Sequence, residues 1–364
     1  MTQKSGKYFE GKSILITGGT GSLGKVLTRR ILSGEMGTPR KVIIFSRDEA
    51  KQHFMRLAYL QRKAATEEVI FHNFERALEF VIGDVRDYGS LAAVCARADI
   101  IFNAAALKQV PSCEYFPYEA VRTNIEGAEN IVRAVRELRL PVEAVIGIST
   151  DKACKPVNVM GMTKALQERV FVAANLSCPG TRWVCARYGN VLASRGSVIP
   201  LFHTQIRSGG PVTITTEDMT RFLLSLEGAV DTIFAAAEFG RPGEIFIPRI
   251  PAAKVTDVAR ALIGNRPIKI EITGIRPGEK VHEAMISEEE ARRTVARGDY
   301  LVIRPMLPEI PQQTDEPPAL DGEYSSDRFL MDYEGTLALL KRNRLMVEDL
   351  EAAGGEADGE ELLR

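Results

Sequence analysis

The stretch Ser13-Ile-Leu-Ile-Thr-Gly-Gly-Thr-Gly-Ser-Leu-Gly24 constrains the fold of this chain more than any other. It carries an apolar strand into a glycine-rich turn and on into Leu23–Leu32, a segment with helical periodicity. In that context Gly18 allows the tight turn, Gly21 lets the backbone approach a pyrophosphate, and Gly24 lets the helix pack closely on a sheet. The helix N-terminus adds free N–H groups and the positive end of a dipole. With Thr20, Ser22 and Leu23 completing the loop, the segment reads as a dinucleotide-binding turn. A bare strand–helix turn is the alternative.

Four further short apolar runs follow, at Lys41–Ser46, Glu79–Gly83, Ile100–Ala104 and Val142–Ser149, with helical segments such as Ala120–Leu138 between them. Near-continuous apolar strands alternating with helices predict a parallel sheet covered on both faces. The expected architecture is α/β: a Rossmann-type doubly wound parallel sheet over 8–190, with strands at Trp183–Tyr188 and Glu244–Pro248, the latter returning to the sheet. A smaller C-terminal α/β substrate-binding domain is expected over 191–345, part of the chain crossing back, with an amphipathic helix at Ala253–Ile263. Pro305–Gly322, with five prolines, reads as a surface loop, and 346–364 as a short helix running into an acidic tail.

Composition narrows the function classes. Among 364 residues, 45% are hydrophobic and 26% charged, ordinary for a globular protein, which excludes fibrous and disordered classes. Lys and Arg (47) nearly balance Asp and Glu (48), so no global basic field draws nucleic acid or an acidic membrane. The five cysteines are scattered and odd in number, without CxxC spacing. They imply reduced thiols, with neither a disulfide frame nor a metal site. Met1–Gly11 is polar and no 18-residue apolar run occurs, so a cytoplasmic location without membrane partners is expected.

The charge at the end of the second strand bears on the choice of dinucleotide. An adenosine ribose 2′-hydroxyl calls for a carboxylate there, a 2′-phosphate for cations. Ser46, Arg47 and Lys51 suit a phosphate, and Asp48 is the counter-signal, one place late for the ribose. NADP is favoured over NAD; a solvated Arg47–Asp48–Lys51 face is the bland alternative.

The spacing TGxxGxxG at Thr17–Gly24 is similar to the fingerprint of the extended short-chain dehydrogenase/reductase superfamily. Asp84-Val85 resembles its adenine contact and Asn103-Ala104-Ala105-Ala106 its segment beside the nicotinamide ribose, while Asn124 falls where the superfamily has a structural Asn. That superfamily places a Tyr-x-x-x-Lys after the fifth strand. Here Lys164 is present but the tyrosine position is Met160, whose thioether cannot take a proton. Asp151-Lys152, after Ser149-Thr150, supplies a carboxyl and an amine at the same strand end, able to make two proton transfers; a salt-bridged loop is the alternative.

Together, STDKA at 149–153, NVMGMTK at 158–164, Arg187-Tyr-Gly-Asn-Val191, Ser194–Pro200, Met219–Phe222, Arg276-Pro-Gly-Glu-Lys280 with His282-Glu283, and Glu323–Asp327 resemble the soluble UDP-N-acetylglucosamine 4,6-dehydratases of bacterial surface-glycan pathways, part of which carry Met at the tyrosine position. The likeness spans about Gly11 to Asp327. It implies a homo-oligomeric lyase in which hydride leaves sugar C4 for NADP⁺, a base removes the C5 proton, an acid protonates the departing C6 hydroxyl, and hydride returns to C6, with inversion at C5. By resemblance Lys152 is the C5 base and Asp151 the C6 acid, Thr150 holds the C4 oxygen, and Lys164 the nicotinamide ribose. Lys152 must then be neutral part of the time: burial and Lys164 lower its pKa, Asp151 raises it, and the pair titrates jointly. Asp151 or a water takes the C4 hydroxyl proton. Arg195, Arg276 and Asn190 are candidates for the diphosphate, with Val198 in the same segment, Arg221 a further cation, Glu279 for the uridine ribose and Lys108 near the sugar. The rival activities are a nucleotide-sugar 4-epimerase, which has no use for a C6 acid, and a silent NADP-binding regulator.

Overall fold

The computed structural model describes residues 7–60, 74–192, 197–312 and 315–352. Its strands are, in chain order, β1 (Ser13–Thr17), β2 (Lys41–Ser46), β3 (Leu78–Ile82), β4 (Ile100–Asn103), β5 (Ala144–Thr150), β6 (Arg182–Tyr188), β7 (Asn190–Val191) and β8 (Val212–Ile214). There follow β9 (Thr220–Leu224), β10 (Ile245–Pro248), β11 (Ala252–Lys254), β12 (Ile270–Ile272), β13 (Ala284–Ile286), β14 (Thr294–Arg297), β15 (Tyr300–Ile303) and β16 (Tyr324–Ser325). Nine of them form one sheet in the order β14-β15-β10-β6-β5-β4-β1-β2-β3. From β3 through β10 the neighbours are parallel; β15 and β14 close the edge as antiparallel strands. The order 3-2-1-4-5-6 is that of the doubly wound Rossmann sheet, with its switch point between β1 and β4.

The apolar runs follow from this burial. Along β1, Ile14 and Ile16 face one core with Leu27, Ile31 and Phe234, whereas Leu15 faces the other with Leu91, Ile131 and Val135. Both faces of the strand are dry, so its central positions Ile14–Ile16 are apolar. A third core, built on Phe202, Ile214, Val258, Leu262 and Leu340, belongs to the segment after β6. From that segment β10, β14 and β15 come back to the main sheet.

Two helical expectations change in detail. The periodic run Ala120–Leu138 is broken by a turn of π-helix, Val121–Glu126, before the helix Gly127–Glu137. Ala252–Lys254 pairs with β9, so the expected helix at Ala253 begins at Val255. Pro305–Gly322 has no helix or strand among its described residues, and the tail helix is Val347–Ala352; 353–364 lie outside the described residues. All five cysteines are free and buried. Among the described residues no helix is long and apolar enough to cross a membrane.

Candidate active site

The carboxyl ends of β1, β2, β3 and β4 open on a cleft of about 830 Å³, lined by Gly18, Thr20, Gly21, Ser22, Ser46, Arg47, Lys51, Asp84, Val85, Ala105, Ala106 and Lys108. Gly18 sits at φ +67°, and a Cβ there would lie 2.7 Å from the Ala105 Cα, so the turn tolerates glycine alone. Gly21 begins the helix Ser22–Leu32 with no side chain capping it, leaving its first amides for an anion. An uncapped helix end over a cleft of this size fits a dinucleotide. The rim carries Lys25, Arg29, Arg47 and Lys51 against Asp48 and Asp84. Lys51 pairs with Asp48 at 2.7 Å and holds its carboxyl below the usual range. The Asp84 carboxylate is gripped by Arg86 at 2.6–3.0 Å and lies 3.7 Å from Arg47.

Three residues shape this cleft that the sequence reading passed over. Gln52, buried, donates to the Ser46 and Val81 carbonyls at 3.0 and 2.9 Å and ties the end of β2 to β3. Thr123 lines the cleft with its hydroxyl buried and without a partner among the described residues. Lys25 lines it one turn into the first helix. Asn124, next to Thr123 in the π turn, accepts from the Leu107 amide at 2.8 Å and donates to Thr163 Oγ1 at 2.9 Å. It thereby locks the loop after β4 to the helix Val159–Ser177.

At the end of β5, Thr150 donates to Asp151 Oδ1 at 2.8 Å. Asp151 is fully buried, and its Oδ2 has no hydrogen-bond partner among the described residues. The Lys152 ammonium lies 3.1 Å from Asp151 Oδ1, 3.3 Å from Asn190 Oδ1 and 3.2 Å from Glu283 Oε1. The turn that carries them is pressed against the next helix: a Cβ on Gly161 would sit 2.2 Å from the Lys152 carbonyl oxygen. Met160 is buried against Cys113 and Ala120, with Leu107, Val110 and Val159 around it.

The charge state of Lys152 departs from the sequence reading. Burial lowers its pKa, but Asp151 and then Glu283 outweigh burial, and the group stays above the ordinary lysine range. The cation that most opposes this is Arg221, not Lys164. The Lys164 ammonium turns instead to the Ile148 carbonyl and to Gln167 Oε1, and burial brings its pKa down to about 8. Glu283, the third member of the cluster, was visible in sequence only as part of the RPGEK-VHE run.

Among the substrate candidates, Arg276 and Glu279 share one loop, where Glu279 Oε2 accepts from the Arg276 amide at 3.4 Å and from Thr215 Oγ1 at 3.2 Å. Arg276 is exposed and without an ion-pair partner among the described residues. Arg221 is buried and donates from Nη1 to the Thr220 and Val281 carbonyls and from Nη2 to the Lys280 carbonyl at 2.7–2.9 Å, with Glu279 Oε1 3.8 Å from Nη2. Asn190 turns its carboxamide oxygen to Lys152. Asn190 and Val198 line a small cavity with Ser197 and Leu223. Arg195 lies outside the described residues.

The sheet order and the uncapped glycine turn define a Rossmann-type protein with a dinucleotide-binding turn. The family described as polysaccharide biosynthesis protein matches residues 14–305, and the chain belongs to it. UDP-glucose 4-epimerases of Rickettsia conorii and Rickettsia typhi are 45% and 44% identical to it over 297 residues, 80% of this chain and 82% of each relative. The X-ray structure of Pen from Bacillus thuringiensis superposes with a TM-score of 0.82 at 32% identity, covering 93% of this chain and 99% of that one. The dTDP-glucose 4,6-dehydratase DesIV of Streptomyces venezuelae, solved with NAD, shares the fold at 21% identity and a TM-score of 0.63, over 74% of this chain and 86% of that one.

Proposed function

We propose that this protein is a nucleotide-sugar 4,6-dehydratase acting on UDP-N-acetylglucosamine, with inversion at C5, in polysaccharide biosynthesis. The observation that carries the reading is the Lys152 ammonium held among Asp151, Asn190 and Glu283 beside the Thr150 hydroxyl. A lysine and two carboxylates are more acid–base equipment than removal of one hydroxyl proton requires. A nicotinamide dinucleotide in the adjacent cleft supplies the hydride acceptor for C4 and the donor for C6.

The chain's own residues manage the protons. The C4 hydroxyl proton reaches Asp151 through Thr150, whose hydroxyl is 2.8 Å from Oδ1, a route that replaces the phenol absent at Met160. Asp151, now protonated, gives that proton to the C6 oxygen as water departs. Lys152 takes the C5 proton, acidified by the C4 ketone. Lys164 holds the nicotinamide ribose, Arg276 the diphosphate and Glu279 the uridine ribose. Arg47 takes the 2′-phosphate of NADP, since Lys51 already neutralises Asp48.

A second reading, 4-epimerisation of a UDP-hexose, is favoured by the 45% identity to proteins named UDP-glucose 4-epimerase. It needs the Thr150–Asp151 route but neither a C5 base nor a C6 acid. Incubation with UDP-N-acetylglucosamine in deuterated water, read by mass spectrometry and proton NMR, separates the two. The dehydratase yields a product lighter by one water and deuterated at C5. A C4 epimer of unchanged mass without deuterium would refute it.

A further inference from the structure

Glu283 belongs to no step described so far, yet it faces the reacting lysine. Its Oε1 lies 3.2 Å from Lys152 Nζ, the residue is 2% exposed, and its Oε2 has no hydrogen-bond partner among the described residues. Its backbone is pinned from two sides. The Glu283 amide donates to Ser326 Oγ at 3.0 Å, and the Ser326 amide donates to the Glu283 carbonyl at 2.8 Å. Ser326 in turn meets Thr220 Oγ1 at 2.6 Å. A carboxylate fixed this firmly, and left short of donors, is a costly arrangement unless it has a use.

The Lys152 ammonium creates the need for one. Two carboxylates keep its proton on, and an ammonium has no lone pair with which to take the C5 proton. Among the described residues its polar contacts are Asp151, Asn190 and Glu283. A carboxamide oxygen is too weakly basic to accept the proton. Asp151 is occupied with the C4 and C6 oxygens under the dehydratase reading, on which this argument rests. One acceptor remains.

We infer that Glu283 is the residue that relieves Lys152 of its proton, acting on the reaction through Lys152 as a positioning and proton-holding group. The N–H bond of the ammonium breaks as an O–H bond forms on Glu283 Oε1, leaving a neutral amine and a neutral carboxyl. The amine lone pair then takes the C5 proton; the C–H electron pair passes into the enol of the C4 ketone and expels the C6 oxygen, protonated by Asp151, as water. C5 then takes a proton from solvent on its opposite face, Lys152 releases to solvent the one it took, and Glu283 returns its own to Lys152, so the cluster ends as it began. The other charged groups facing the pair are Lys280, whose Nζ lies 3.9 Å from Glu283 Oε2, and Arg221 of β9; His282 is turned to Thr220 Oγ1 at 2.9 Å.

The test is the pH profile of C5 deuterium exchange in the holoenzyme with UDP-N-acetylglucosamine, for Glu283→Gln and Glu283→Asp. Cofactor affinity, thermal midpoint and C4 oxidation are measured alongside. Glu283→Gln lowers C5 exchange at pH 7 about a hundredfold, with KM and C4 oxidation within about threefold, the range expected for removal of one general acid–base group. Its exchange rate climbs about tenfold per pH unit, because Lys152 must now lose its proton to solvent, whereas the unmutated profile is nearly flat. Glu283→Asp restores the flat profile at a reduced rate. Exchange at pH 7 that is equal or faster in Glu283→Gln overturns the inference, since the carboxylate would then only keep Lys152 charged. A slower rate with an unchanged pH profile, or a steep profile in Glu283→Asp, overturns it too. Absence of C5 exchange in the unmutated enzyme would instead refute the dehydratase reading itself.

Discussion

Replacing Glu290 with glutamine tests how the C-terminal part of the chain is fastened under the active site. Arg187 on β6 is buried and spends every guanidinium N–H: on Glu168 at 2.9 and 2.6 Å, on Glu290 at 2.8 and 2.9 Å, and on the Met285 carbonyl at 2.8 Å. Burial works against the Glu290 carboxylate, but Arg187 more than offsets it and brings its pKa from 4.5 down to about 2. At about 1.4 kcal/mol per unit, that depression corresponds to roughly 3 kcal/mol of folding stability. The figure agrees with the ~3–5 kcal/mol lost when one partner of a buried pair is removed. Because the folded pKa is the lower one, the stabilisation is complete above pH 4.5 and drains away as pH falls toward 2. Glu290→Gln, close in shape, should therefore lose about 3 kcal/mol in urea unfolding at pH 7, and its stability should fall less steeply between pH 4.5 and 2. A loss under about 1 kcal/mol, or acid transitions that coincide in the two proteins, would show that the triad is only space-filling.

The remaining expectations concern the chemistry. Arg47→Ala should remove most of a preference for NADP over NAD in binding titrations, by deleting a charge-assisted contact worth about 1.5–3 kcal/mol; equal affinities in the unmutated protein would contradict the assignment. Lys152→Ala should abolish C5 exchange and loss of water while bound dinucleotide still gains reduced-nicotinamide absorbance, whereas Asp151→Asn should suppress both signals about a hundredfold or more, because one carboxyl serves both the C4 and C6 oxygens. An Asp151→Asn enzyme with undiminished C4 oxidation would leave water as the first acceptor. Met160→Tyr forces a larger, polar ring among Cys113, Ala120 and Leu107, so the thermal midpoint should drop with a stability loss of about 1–3 kcal/mol while turnover changes less than tenfold. A hundredfold rise in turnover would mean that the native site lacks a proton route.

The sequence by itself determined the features that depend on neighbours along the chain. The glycine turn is dictated locally, by the φ of Gly18 and the free amides at Ser22–Gly24. The parallel strands were legible because burial on both faces makes the middle of most of them apolar, and their ends fell within a residue or two of the structure. Asp151, Lys152 and Thr150 could be picked out together because they are consecutive. The tertiary structure alone decided what those groups do to one another. Before reaction Lys152 is held charged by Asp151 first and then by Glu283, a second carboxylate brought in from a distant part of the chain by the pairing of β13 with β16. Arg221, as readable in sequence as Arg276, is buried and tied to three carbonyls once β9 packs on the RPGEK segment. The Arg187–Glu168–Glu290 triad joins residues from three separate stretches of chain. Periodicity and motif spacing report on local geometry and burial, whereas Coulomb interactions and hydrogen bonds depend on distances through space that only the packed fold sets.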